Sequence, residues 1–325
     1  MSSGAASWRP GATLATLRLR AQRLEAARAF FAARGVLEVD TPLLVRCAVT
    51  DLHIHAAAVL LAGVPQPLHL HTSPEYAMKR LLAAGSGDIY QVCHVMRGEE
   101  RGRLHNAEFT LIEWYRLGAT IESLMDEVEA LVRLLAAPAA AAPATRLTYQ
   151  QAFERLLGPD PLAAGEGALR AAAARAGIDA GAVGSGERDE LLDLLMGIAV
   201  GPQLGRGAMC FVHRYPASQA ALARLDPQDA RVALRFELYL EGVELANGFV
   251  ELGDAVEQRA RFEAERRARA ARGLPAPDID ERLLAALAHG LPSCAGVAVG
   301  FDRVLMLATG APDIGAVMPF TTDRA

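Results

Sequence analysis

The chain has 325 residues, 52% of them hydrophobic, enough to fill the core of one large catalytic domain or two modest ones. Its net charge of -5 and pI near 5.9 lack the broad basic footprint of a dedicated nucleic-acid binder. Cys47, Cys93, Cys210 and Cys294 show no CxxC spacing, and the sequence has neither a leader-like start nor an apolar run of spanning length, so a cytoplasmic protein with reduced thiols and no membrane partner is expected.

In chain order, apolar residues at helical spacing from Thr16 to the stop at Gly35 predict a first long helix. VLEVDTPLL alternates like a strand that ends, or lies at an edge, at Pro42. LHLHTS, 68–73, alternates again, and Ser73-Pro74-Glu75 opens a helix through Leu82. Lys79, in that helix, is the only lysine among 33 Lys and Arg residues, and is expected to be a surface or helix-packing residue. Residues 88–97 and 107–116 read as a hairpin around the loop 98–106. A low-complexity connector follows near 134–145, then an inserted helical segment at 149–200 with a Gly-rich interruption at 181–186.

RFELYLEGVELANGFVEL reads as two strands around Glu241-Gly242, 254–272 as a charged, solvated helix with i,i+4 pairs, and GVAVGFDRVLMLATG as strand, turn and helix. Hairpin-paired strands with segregated helices predict an α+β antiparallel-sheet domain without a second core.

Three groups of residues invite chemistry. In the hairpin, Arg97 and Glu99 share a face, as do Phe109, Leu111, Glu113 and Tyr115, a set too polar for a core. An exposed face with cross-strand ion pairs is the alternative. In the second group, a two-residue turn at Glu241-Gly242 pairs 239 with 244 and 237 with 246, setting Glu237 and Glu244 diagonally adjacent; they would repel unless a cation such as magnesium sat between them. Glu251 joins that face only if the chain bulges, for which Asn247-Gly248 is the expected place. Three unrelated exposed glutamates remain the alternative. In the third group, Gly296, Ala298 and Gly300 leave one strand face almost without bulk, and Arg303 lies in the first turn beyond it. Neither GxGxxG nor GxxxxGK[ST] is present. His53/His55 and His69/His71 would each share a strand face, but no accompanying ligand spacing supports a metal site.

VLEVDTPLL with its helix, MRGEERGRLHNAEFTLIEWYR and GVAVGFDR resemble, in order, motifs 1, 2 and 3 of the class II aminoacyl-tRNA synthetases; HTSPEYAMKRL, HNAEF and ELANGF narrow the resemblance to the lysyl-tRNA synthetase catalytic core, over nearly the whole chain. Two departures, the first helix starting within about twenty residues of Met1 and Ala298 where that family has glycine, resemble instead the stand-alone paralogues that modify a lysine of elongation factor P. Gly98 and Ala107 also depart from the usual RNE and HNPEF, at the loop's ends.

The resemblance implies a homodimer that uses ATP and Mg2+, activates (R)-β-lysine or lysine, takes elongation factor P as protein substrate and makes no tRNA anticodon recognition. It implies that Arg97 holds the α-phosphate and Arg303 the γ-phosphate, that Phe109 stacks on adenine, and that Gly98, Glu99, His105, Asn106, Leu245 and Gly300 surround the nucleotide. Glu237 and Glu244 would bind the metal. Ser73, Pro74 and Glu75 would face the amino group near the substrate carboxylate; Glu251, Tyr115 and Glu113 would take the side-chain ammonium, and Ala298 would shape the pocket. A minimal tRNA-acylating enzyme, a ligase with a small-molecule acceptor and a catalytically silent regulatory paralogue are the rival readings, and the Arg-rich loop at 101–103 and the helix 254–272 are candidate acceptor surfaces.

Overall fold

In the computed structural model, residues 8–181, 183–184 and 187–325 are described. The Thr13 hydroxyl caps α1 (Leu14–Ala32) by accepting the Thr16 N–H, and the chain turns at Gly35 with φ 67°. VLEVDTPLL is not one strand. β1 (Leu37–Glu38) joins the main sheet, whereas β2 (Leu44–Val45), with β3 (Ala58–Val59) and β4 (Leu68–Leu70), forms a small separate sheet; Pro42 lies in the break.

α2 (Glu75–Ala83) precedes the expected hairpin of β5 (Ile89–Met96) and β6 (Glu108–Leu117). α3 (Ile121–Ala136) absorbs the start of the expected connector at 134–145, because its apolar stripe continues through Leu131, Val132 and Leu135. β7 (Thr145–Thr148) leads into the insertion, which is helical as expected: α4 (Tyr149–Leu157), α5 (Glu166–Arg175) and α6 (Arg188–Leu195). Of the expected interruption, residues 182, 185 and 186 lie outside the described residues. Then come β8 (Cys210–Pro216), β9 (Leu225–Asp226), β10 (Asp229–Leu240), β11 (Val243–Val250), α7 (Ala255–Ala271), α8 (Glu281–Gly290), β12 (Cys294–Gly300) and α9 (Phe301–Thr309).

The main sheet runs β1-β5-β6-β12-β11-β10-β8-β7, antiparallel except at its two outer pairs. Strand alternation divides it into two unlike faces. One presents Ile112, Trp114, Phe236, Leu238, Val297 and Val299 to α1, α3 and α9 and forms the main core. Burying each such side chain contributes about 1.5–3 kcal/mol. The opposite face is covered only toward its ends. Tyr149, Phe153, Leu192 and Leu195 of the insertion pack on Val212 and Tyr239 at one end; Met78 and Leu82 of α2 pack on Ile89 and Tyr115 at the other. The apolar cluster of the insertion is built on Cys210, Val212, Tyr215 and Tyr239 of the shared sheet.

The β10–β11 register matters most for the cleft between these covers. Glu241 and Gly242 turn with φ of 51° and 75°, the left-handed pair that a two-residue hairpin favours. Tyr239 pairs with Glu244 as expected, but Leu238 pairs with Ala246 and Glu237 with Asn247 rather than 246. The bulge therefore lies at Leu245 and not at Asn247-Gly248. Leu245 and Ala246 both turn into the main core, and two consecutive inward residues require that extra step. Beyond it the parity is reversed, so Asn247, Phe249 and Glu251 share the face of Glu237 and Glu244.

Candidate active site

At the β5/β6 end of the cleft, buried Glu113 accepts hydrogen bonds on both oxygens, from the Ser73 hydroxyl and the Tyr115 hydroxyl, each at 2.8 Å. Ser73 Oγ also accepts the Glu75 N–H at 3.0 Å, which fixes the start of α2 just past Pro74. Burial, with the charge of Glu75 added, pushes the Glu113 carboxyl up to about 7 against the pull of the two hydroxyls and Lys79.

Lys79 is neither on the surface nor a simple packing residue. Its side chain is 1% exposed, and Nζ lies 2.7 Å from Glu75 and 2.6 Å from Glu251. Burial pulls the ammonium pKa down, but the charges of Glu251 and Glu75 more than reverse this and keep it charged. Burial likewise pushes the Glu251 carboxyl up, Lys79 opposing. Tyr115 and Glu251 meet over Gly296, where an added Cβ would lie 2.4 Å from the Tyr115 ring and 2.6 Å from Glu251 Oε1, so only glycine fits. Ala298 sits in register between Glu113 and Asn247 on the cleft floor.

Farther along, Arg97 follows the end of β5, with its guanidinium 5.0 Å from the Phe109 ring centre. It donates to the Thr72 carbonyl at 3.3 Å and to Glu100 at 3.1 Å. Arg303, in the first turn of α9, donates to the carbonyls of Leu104 and Glu244 and approaches the Glu244 carboxylate at 3.7 Å. Burial lowers the His105 pKa, and the charges of Arg303 and Arg97 lower it further against the opposing pull of Glu100. Two guanidiniums and an aromatic ring can receive an anionic, flat ligand.

Some expected residues play other parts. The Glu99 side chain is 78% exposed beside His55, and Glu100 is the partner of Arg97, because the chain leaves the strand after Met96 and alternation stops. Asn106 is engaged in holding the loop, donating to the Glu108 carbonyl at 2.6 Å and accepting the Thr322 N–H at 3.0 Å. Leu245 turns its side chain into the core, so it can offer only backbone to the cleft. Gly98 donates to the His55 carbonyl at 2.7 Å, and a Cβ there would meet nothing nearer than 3.4 Å, so its departure from the usual residue leaves the geometry possible. A Cβ added at Gly300 would meet nothing nearer than Arg303 Cδ at 3.8 Å, which leaves the end of β12 open.

Glu237 and Glu244 do share a face. Glu237 is held by Arg235 at 2.5 Å and the Tyr239 hydroxyl at 2.6 Å, two cleft-facing partners that the sequence reading did not single out although they stand two residues to either side. Burial, then Glu237, raise the Glu244 carboxyl. A raised carboxylate beside a second one suits a hard divalent cation whose remaining ligands come from phosphate and water, with Glu244 the more available donor. Among the described residues, no group of three or more His, Cys, Asp or Glu could hold a metal by itself. His53 and His55 lie outside any strand, and the buried His71 bonds the His94 carbonyl through Nε2 at 2.9 Å.

Residues 5–324 match a family described as tRNA synthetases class II (D, K and N). The chain is 49% identical over 327 residues to a protein of Klebsiella pneumoniae subsp. pneumoniae called elongation factor P--(R)-beta-lysine ligase, covering 99% of this chain and 100% of that protein. It is 50% identical over 327 residues, with the same coverage, to a protein of that name from Edwardsiella ictaluri.

Proposed function

The chain belongs to the class II tRNA synthetase family (D, K and N), and from that premise we propose an ATP-dependent ligase that activates (R)-β-lysine, or lysine, as an aminoacyl-adenylate and transfers it to the ε-amino group of a specific lysine of elongation factor P. The observation that carries this reading is one cleft with Arg97 over Phe109 and Arg303 beside Glu244 at one end, and buried Glu113 and Glu251 with the mostly buried Glu75 at the other. Such a cleft is matched to an anionic nucleotide and a dicationic amino acid together.

In the first step the amino-acid carboxylate attacks the α-phosphorus and pyrophosphate leaves. No covalent enzyme intermediate forms, so positioning and charge stabilisation do the catalysis. Arg97 holds the α-phosphate and Arg303 the γ-phosphate, while Phe109 stacks on adenine. Glu244, with Glu237, would hold Mg2+, which supplies charge neutralisation to the triphosphate. Glu75 faces the amino group near the carboxylate; Glu251, Glu113 and Tyr115 take the side-chain ammonium. In the second step the neutral acceptor amine attacks the adenylate carbonyl, an amide forms, AMP leaves and the amine's proton is lost.

The acceptor approaches past the loop 101–106. There, Arg101, Arg103, His105 and Arg324 line a cleft of about 690 Å³ between the loop and the C-terminal segment. The helix α7 offers less: Arg259, Arg261, Arg269 and Arg272 already bond within the chain. Exposed Leu37 and Leu43, flanking the Pro42 segment, support a homodimer contact there.

The deciding experiment supplies Mg-ATP with (R)-β-lysine or lysine and offers either elongation factor P or bulk tRNA, reading AMP and the acceptor's mass. A stable mass gain on the factor is expected; a gain on tRNA alone would sink the proposal.

A further inference from the structure

Buried Glu113 and Glu251 and the mostly buried Glu75 cluster with a single ammonium, that of Lys79, which pairs with Glu75 and Glu251. Buried ions persist only when paired, so this cluster lacks two positive charges. Glu251 Oε1 is buried without a hydrogen-bond partner, over the glycine floor at Gly296. The chain uses arginine at every other basic position apart from histidines, yet has a lysine here. Its compact ammonium sits between two carboxylates, at 2.7 Å from Glu75 and 2.6 Å from Glu251.

We infer that Lys79 is a specificity-determining residue of this pocket, a fixed internal cation that offsets one of three carboxylates and leaves a deficit of two positive charges for the two ammonium groups of a diamino acid. This deepens the reading of the cleft as a diamino-acid site and rests on it.

In the empty pocket, protons meet the deficit: burial raises Glu113 to about 7 and pushes Glu251 up as well. The groups facing them are Glu75, Lys79 and the Ser73 hydroxyl from α2 and its preceding turn, Tyr115 from β6, Cys93 from β5 and Cys294 from β12. Burial pushes the Tyr115 hydroxyl and both thiols up, so they stay neutral; Asp40 and Asp88 act on the thiols from farther off. A diammonium ligand replaces these protons, so its affinity rises with pH through 7 to 8. Without Lys79, one carboxylate has no partner even when the diamino acid is bound. With no cation beside them the carboxylates hold their protons to higher pH, and because the ligand must displace those protons, binding is weakened and its rise moves to higher pH.

The test is ATP–pyrophosphate exchange, giving KM for the diamino acid and for ATP between about pH 6.5 and about 8.5. Lys79→Met is expected to raise the diamino-acid KM at the lower pH by about tenfold or more, to leave the ATP KM within about twofold and to move the rise in affinity to higher pH, while Lys79→Arg retains the original trend. A folded Lys79→Met with the original KM and trend, or with equal losses on both substrates, overturns the inference. Should Lys79→Met fail to fold, Lys79→Met/Glu75→Gln removes one charge of each sign and should keep the original trend; a trend displaced to higher pH there also overturns it. Absence of any diamino-acid-dependent exchange in the unaltered enzyme would overturn the reading of the site itself, a result separate from any effect of substituting Lys79.

Discussion

Asp302, the second residue of α9, accepts the backbone N–H of Thr110 through Oδ2 at 2.6 Å, tying the helix start that carries Arg303 to the strand that carries Phe109 and Glu113. Its other oxygen pairs with Arg20 of α1, which also donates to the Thr110 hydroxyl at 2.7 Å. Three distant stretches of chain thus meet at one carboxylate that is 1% exposed. Asp302→Ala leaves Arg20 without its partner, and a loss of about 3–5 kcal/mol is expected. Urea unfolding checks this; a loss under about 1 kcal/mol would mean that Arg20 finds water instead.

Arg97→Ala should slow adenylate formation by about 10²- to 10³-fold, the usual effect of deleting one donor to developing charge. Pyrophosphate exchange measures it. The KM for the amino acid should change little, because Arg97 stands over Phe109 and bonds Glu100 and the Thr72 carbonyl; a change confined to that KM would reassign the arginine.

The raised Glu113 carboxyl has a signed effect on stability. Its folded pKa, about 7, lies above the ordinary 4.5, so its contribution is full below about 4.5 and declines as pH rises toward 7, by about 3 kcal/mol for a fully buried group. Glu113→Gln cannot ionise. Without ligand it should gain stability relative to the parent between about pH 5 and about pH 8. Parallel melting-temperature curves for the two proteins over that range would show that Glu113 does not carry the shift.

Gly296→Ala drives a methyl into the Tyr115 ring and Glu251. A cost of about 1–3 kcal/mol is expected, together with a raised KM for the amino acid. Denaturant unfolding and exchange kinetics read the two effects separately, and an unchanged protein would mean that the ring moves aside freely.

Ala298→Gly removes a methyl from the floor between Glu113 and Asn247. The ratio of kcat/KM for lysine over (R)-β-lysine should rise by about tenfold or more. An unchanged ratio would show that this residue does not line the discriminating part of the pocket.

What could be read in the sequence follows from periodicity and its failures. Ile112, Trp114, Glu113 and Tyr115 divide between the faces by alternation alone, and the hairpin containing them was placed to within about a residue at each end. Alternation also assigned Glu99 to the arginine's face, but the strand ends at Met96 and Glu100 takes that place. Lys79 and Glu75 are four apart on one helix, a spacing visible in the sequence; that Glu251 arrives from a strand far along the chain to bury them was not. Arg20, Asp302 and Thr110 join only in three dimensions, and no local pattern announces such a contact.

The extra residue at Leu245 makes the cleft sensitive to pairing register where it is tolerant of composition. Glu244 lies before that step, and Asn247 and Glu251 lie after it. Substituting Leu245 by another apolar residue leaves their phase intact, whereas closing the bulge so that Leu245 pairs with Leu238 would carry everything downstream in the strand half a pleat out of step. Asn247 and Glu251 would then exchange places with Ala246 and Val250, delivering a carboxylate to the core under α3 and hydrocarbon to the substrate. One residue's worth of slack keeps the nucleotide half and the amino-acid half of the cleft facing the same way.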